Sequence, residues 1–146
     1  MMLVLCIGAI IGCVYWFMSS NRNTDTRLTG TWVLTNQVTE TSYRSYMDDT
    51  HEFRIEVTQE GDALIGRGKQ TKYNGKAARN HYPLWFTKSE VKDDQVFITY
   101  RMNGSREFGG TFTLRVDHDD PTRLRGTFTS EAANTKGSTE VRILPD

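Results

Sequence analysis

The chain has 146 residues, 37% hydrophobic and 25% charged, with 18 Lys and Arg against 18 Asp and Glu. That length suits one domain, and a net charge of zero excludes a global electrostatic pull towards nucleic acid or an anionic membrane. Both cysteines, Cys6 and Cys13, lie near the N-terminus, so the remainder cannot rely on a disulfide, which fits a reducing compartment.

The first predicted element is apolar. No charged side chain occurs from Met1 to Asn21, and residues 1–18 as a helix would be about 27 Å long, close to the roughly 30 Å hydrocarbon core of a bilayer. A secretory signal wants a basic residue before its apolar stretch and a small-residue exit, whereas this run starts "MML" and leaves through "VYWFMSS". Ile10-Ile11-Gly12-Cys13 resembles a bacterial lipobox, but it too lacks the basic start and is followed by bulky side chains. A retained transmembrane helix over residues 1–20 explains more: Tyr15, Trp16 and Phe17 fall at the interface, and Arg22 and Arg27 follow. The positive-inside bias then keeps the C-terminal side cytosolic. Gly8 and Gly12 form a small-residue pair that permits close helix approach. Residues 21–27, "NRNTDTR", read as a tether.

From residue 28 to 146 the sequence reads as strands. Segments 30–39, 51–59, 63–73, 80–91, 95–102, 110–118, 123–130 and 138–144 alternate apolar and polar residues and are separated by turn signals such as "EGD", "KDD", "NGS" and "DDPT". Phe53, Ile55 and Val57 share one face, as do Phe112, Leu114 and Val116, and Val141 with Ile143. Pro83 predicts a bulge or an irregular edge. Eight short-turned strands imply an antiparallel meander, and closing it removes the exposed edges. The predicted fold is therefore all-β, a single eight-stranded up-and-down barrel, with an open sandwich as the alternative. The phrases "GTW" at 30–32 and "GTF" at 110–112 and 126–128 repeat a glycine before an inward aromatic, which suits a sharply coiled strand.

For an enzyme the inventory is thin. His51, His81 and His118 lack metal-ligand spacing. "GRGKQT" lacks the spacing of a phosphate-binding loop, there is no G-x-S-x-G, and "DHDD" reads as a hairpin turn. The expectation is binding rather than catalysis, with no cofactor and no metal. Two features bear on a ligand. Arg67, Lys69, Lys72, Lys76 and Arg79 follow one another with no acid between them, which suits a phosphorylated ligand and equally a solvated strand face neutralised by "MDDTHE" at 47–52. Tyr43, Tyr46, Tyr73, Tyr82, Trp85 and Tyr100 could stack on a base. Arg101 shares a face with Phe97 and Thr99 against Val96, Ile98, Tyr100 and Met102; if it points inward it needs a counter-anion.

"LTGTW" at 28–32 resembles the opening of lipocalin-, fatty-acid-binding- and avidin-type barrels, in which a Gly-x-Trp begins the first strand. The resemblance implies structural roles for Gly30 and Trp32, with Trp32 at the closed end beneath an arginine of the last strand. Arg142 is the one candidate there, although its alternation with Val141 and Ile143 points it outward. More of the chain, including "GSREFGGTFTLRVD" and "LRGTFTS", is similar to the membrane-anchored β-barrel effectors of bacterial cyclic-oligonucleotide antiphage signalling (CBASS), although it has one apolar segment where that family usually has two. That resemblance implies a single-pass protein of the inner membrane whose cytosolic barrel binds a cyclic dinucleotide and then oligomerises, with no duplex nucleic acid as partner. Arg67, Lys69 and Arg101 would face phosphates, and Tyr73 or Trp85 would stack. Two rivals stand beside it: an exported or lipid-linked carrier of a hydrophobic ligand, and a ligand-free interaction barrel packed solid by Phe53, Phe97, Phe112 and Phe128.

Overall fold

The computed structural model describes residues 27–144. The expected anchor at 1–20, its Gly8 and Gly12, and most of the tether lie outside the described residues, among which no helix is long and apolar enough to cross a membrane.

Alternation of β-branched and aromatic residues with polar ones produces strands throughout. They are β1 (Gly30–Glu40), β2 (Thr50–Glu60), β3 (Ala63–Tyr73), β4 (Lys76–Ala77), β5 (Pro83–Lys92), β6 (Gln95–Asn103), β7 (Glu107–Val116), β8 (Arg123–Ser130) and β9 (Thr135–Leu144). The short β4 folds back antiparallel on the end of β3. The other eight pair antiparallel in sequence order, β3 passing directly to β5, and β9 returns to β1, so the sheet closes as the expected barrel and not as an open sandwich. The eight expected segments correspond to these strands one for one. β7 starts at Glu107 and β9 at Thr135, earlier than the apolar pattern indicates, because Asn103 and Ser130 on the neighbouring strands extend the ladders to meet them. Pro83 is the first residue of β5, where its missing N–H does not interrupt the ladder. The irregularity in that strand lies between Phe86 and Lys88.

The two ends of the barrel differ. At one pole are the turns 61–62, 93–94 and 117–122, and beneath them the interior is filled by Trp32, Leu34, Ile55, Val57, Val96, Ile98, Leu114, Leu124, Val141 and Ile143, all buried. Leu28 tucks under this pole with no exposed surface. Its N–H donates to Gln59 Oε1 (3.0 Å) and its carbonyl accepts Trp32 Nε1–H (2.8 Å), so a buried segment of backbone is fully served by two side chains of the barrel. Trp32 also meets Phe86 edge-on, with ring centroids 6.0 Å apart. The Gly-x-Trp expectation holds for Trp32, while Arg142 is exposed on the outer surface and does not cover it.

The repeated Gly-Thr-aromatic phrase behaves as expected. Trp32, Phe112 and Phe128 are all buried, and a Cβ at Gly126 would lie 1.9 Å from the carbonyl oxygen of Thr113, so only glycine admits that approach. Phe97 is the exception among the expected core phenylalanines: it faces outward and is 38% exposed.

Trp32→Ala should lower the unfolding free energy by about 3–5 kcal/mol in a denaturant titration, because it removes the largest buried side chain and leaves the Leu28 carbonyl unpartnered. A loss below about 1 kcal/mol would show that the closed pole is not the core on which the barrel depends.

Candidate functional site

Away from Trp32 the inward-facing residues change character. Along β1 they run Trp32, Leu34, Asn36, Val38; along β9, from the closed pole, Ile143, Val141, Thr139, Gly137, Thr135. In these two strands Asn36, Thr139, Gly137 and Thr135 take inward positions of the open half, and a cavity of about 790 Å³ opens at that pole. The volume lies in the range of small-molecule sites, roughly 300–1,000 Å³. Its wall mixes Val38, Phe53, Met102, Phe108 and Phe128 with Asn36, His51, Gln70 and Thr135.

These polar groups hold one another. At the floor, Thr139 Oγ1–H donates to Asn36 Oδ1 over 2.7 Å, and both residues are buried. On one side Gln70 Nε2 lies 3.1 Å from His51 Nδ1 and 3.4 Å from the carbonyl of Lys72. Two acceptors around one amide nitrogen make it the donor, so His51 Nδ1 accepts and neutral His51 carries its proton on Nε2. Burial lowers the His51 pKa from its ordinary 6.5, against an upward pull from Asp49. Tyr100, stacked on Phe112 with centroids 4.4 Å apart, donates to the carbonyl of Thr129, and burial raises its pKa well above the usual tyrosine value.

At the mouth, the 41–49 loop is fastened by Val38 N–H to the Asp49 carbonyl (2.9 Å) and Ser42 N–H to the Ala133 carbonyl (2.9 Å). Asp49 is buried, accepts Asn74 Nδ2–H at 3.1 Å and accepts the Tyr73 hydroxyl. That hydroxyl-to-carboxylate bond is the main reason the Tyr73 pKa is pushed up to about 12. Tyr73 also packs against His51, with ring centroids 5.1 Å apart. Tyr43 and Tyr46 stand edge to face on the loop and are largely exposed. Lys76, Arg79 and Arg106 line the same opening, and among the described residues no salt bridge reaches any of them.

Of the five ligand residues expected from sequence, Tyr73 alone lines the cavity. Arg67, Lys69, Trp85 and Arg101 lie on the outer surface. Arg67, Trp85 and Arg101 are directly paired across β3, β5 and β6, and Lys69 is two residues from Arg67 on the same face. Arg101 points outward and is neutralised by Glu107 (3.4 Å) and Glu131 (3.6 Å), so it needs no inward counter-anion. Within the basic run 67–79, the residues that reach the mouth are Lys76 and Arg79. Sequence reasoning did not single out Asn36 and Gln70 as lining residues, nor Thr139 as the buried partner that holds Asn36. Their signal was phase: each occupies an inward position of its strand where an apolar residue would continue the pattern.

No family model and no curated protein matches the chain. Among solved structures, one described as a redesigned beta barrel, mFAP1, bound to DFHBI is similar, with a TM-score of 0.60 and 16% identity over 81% of this chain and 95% of that one. At that identity the likeness concerns the fold.

Because unfolded His51 takes up a proton near 6.5 and folded His51 only at lower pH, the unfolded state gains protons first as the solution is acidified. Stability is therefore full above about pH 6.5 and falls on acidification from there. The midpoint of urea unfolding should drop between pH 7 and 5, and His51→Gln should flatten that drop. Asp49→Asn should move the Tyr73 ionisation, followed by tyrosinate absorbance, from about 12 back towards 10.

Proposed function

We propose that this protein binds one small ligand in the open half of its barrel and performs no chemistry on it. The observation that carries the reading is the half-filled interior, packed around Trp32 at one pole and open as a cavity of about 790 Å³ at the other. The rim supports a ligand that is both anionic and aromatic. Lys76, Arg79 and Arg106 offer charge-assisted hydrogen bonds, and Tyr43, Tyr46 and Tyr73 offer ring faces. A cyclic dinucleotide has that chemistry, and it is the ligand we propose. Binding rather than catalysis fits the way Asp49 and His51 are already engaged by Tyr73, Asn74 and Gln70.

The finer proposal is that of a membrane effector. The apolar N-terminal run would anchor the protein in the inner membrane as a single-pass chain with its barrel in the cytosol, and occupancy would favour an oligomer acting in antiphage defence through differential affinity for the assembled state. One feature of the fold supports a soluble ligand in that arrangement. The chain enters the barrel at the closed pole, where Arg27 bonds the carbonyl of Asp93 and pairs with Asp94 at 3.5 Å. An anchor on that side leaves the mouth facing away from the bilayer.

Thermal unfolding of the full chain in non-ionic detergent, titrated with cyclic di- and trinucleotides and with fatty acids, tests both levels. A ligand at about 100 times its dissociation constant stabilises by about 2.7 kcal/mol, several degrees for a domain of this size. A shift with one cyclic dinucleotide that Arg79→Ala or Arg106→Ala weakens about tenfold or more supports the reading. A shift with fatty acids alone replaces it with a carrier of hydrophobic ligands, for which the phenylalanines and Met102 of the wall would be the contacts. No shift in either series overturns ligand binding.

A further inference from the structure

The net charge of zero conceals a sorting of charge over the barrel. The turns at the closed pole carry Asp62, Asp93, Asp94, Asp117, Asp119 and Asp120. On the outer wall the pairing registers align Arg123, Arg142, Val33, Arg54 and Lys69 in one row across β8, β9, β1, β2 and β3. Arg123 is directly opposite Arg142, and Arg54 is directly opposite Lys69. Like charges opposed across strands about 5 Å apart are destabilising.

Relief is confined to one end of the row, where Asp120 lies close enough to Arg123 to feel its charge. Among the described residues no salt bridge reaches Arg54, Lys69, Arg123 or Arg142. Two acids of the adjoining rows are paired elsewhere, Glu52 with Lys72 (3.6 Å) and Glu140 with Arg125 (3.7 Å); Glu56, opposite Arg67, accepts the Thr31 hydroxyl (2.9 Å) and keeps its charge. Where the row reaches β5, the neighbouring row on the outer wall sets Trp85, half-buried, between Arg67 and Arg101.

We infer that this outer row is a binding track for a single-stranded polynucleotide, a site separate from the cavity. Shape selects this partner over other polyanions. The row runs round the barrel over five of its eight strands, so its cations point in directions that diverge through about half a turn. A flat anionic bilayer touches a curved wall only along a narrow strip and meets a fraction of them. A duplex, stiff over about 150 base pairs, cannot follow the wall either. A flexible single strand can wrap it, placing successive phosphates on Arg123, Arg142, Arg54 and Lys69 and stacking a base on Trp85. The aspartates of the closed pole repel such a strand and confine it to the row.

Fluorescence anisotropy of a labelled oligouridine with the full chain in non-ionic detergent, across a salt series, measures the track. Four phosphate contacts predict that the logarithm of the binding constant falls with the logarithm of salt concentration with a slope of about −3. The double variant Arg54→Gln, Lys69→Gln should reduce that slope by about 1.4 and bind about tenfold more weakly. Its melting temperature should be unchanged or higher, since an opposed like-charge pair is gone. Arg142→Gln alone should reduce the slope by about 0.7, and Trp85→Ala should weaken binding about fivefold or more. Lys72→Gln, which loses a cation already paired with Glu52, should change little. The inference is overturned by no binding at 50 mM salt, by double-variant binding equal in affinity and slope, or by equal binding of a duplex. It is also overturned if vesicles of anionic lipid, or a second copy of the chain, take up the same row while the oligouridine does not.

Discussion

Closure of the barrel by β1 and β9 is the pairing on which every other feature rests. These strands lie at the two ends of the folded chain and meet in register from Thr31 opposite Leu144 to Val38 opposite Gly137. Bringing them together costs the entropy of a loop about as long as the domain, a cost that grows only slowly with length. The return is that the two edges of the meander disappear together. Gly137 makes the approach possible, because a Cβ there would lie 1.8 Å from the carbonyl oxygen of Gln37. The same seam carries the Asn36–Thr139 hydrogen bond, so the floor of the cavity is built by the pairing that closes the wall.

Closure also fixes which side chains are inside, and here the limits of the sequence can be stated in terms of strand phase. The fold was legible because alternation is local: Phe53, Ile55 and Val57, or Phe112, Leu114 and Val116, declare their face without knowledge of any partner. The site was less legible. In "ALIGRGKQTKY" the inward positions are Leu64, Gly66, Gly68 and Gln70, two of them glycines, and a face so poor in apolar groups does not show as an interior. Arg67 and Lys69 were therefore outward by parity. Trp85, between Leu84 and Phe86, and Arg101, between Tyr100 and Met102, followed the same rule. Tyr73 reaches the cavity because the register shifts between Glu52 and Phe53, and an extra residue in β3 moves the following side chains to the opposite face. That shift depends on the pairing of two strands and leaves no mark in either one.

Charge balance misled in a similar way. Equal numbers of acids and bases describe the sum and not the arrangement. Among the described residues six aspartates gather in the tight turns of the closed pole, where their side chains suit turn geometry, and Asp48 and Asp49 stand in the loop at the mouth. The cations stand on outer strand faces, where their long aliphatic stems cover the wall. Secondary structure thus sorts part of the charge, and a chain that is neutral overall presents an acidic base, a row of cations on its flank beside the strand glutamates, and a mouth whose Lys76, Arg79 and Arg106 meet no salt bridge among the described residues.

A barrel that is full at one end and open at the other follows from the same distribution. An enclosed apolar void of several hundred cubic ångströms would cost stability in proportion to its volume, at about 24 cal/mol per Å³. The cavity at the mouth escapes that cost because it opens to solvent and sets Asn36, His51 and Gln70 among its apolar walls. Asn36, His51 and Gln70 are hydrogen-bonded to the protein and remain able to meet water or a ligand. The closed half, sealed by Leu28 beneath Trp32, carries the burial of apolar surface, and that division of labour lets the open half be shaped by what it holds.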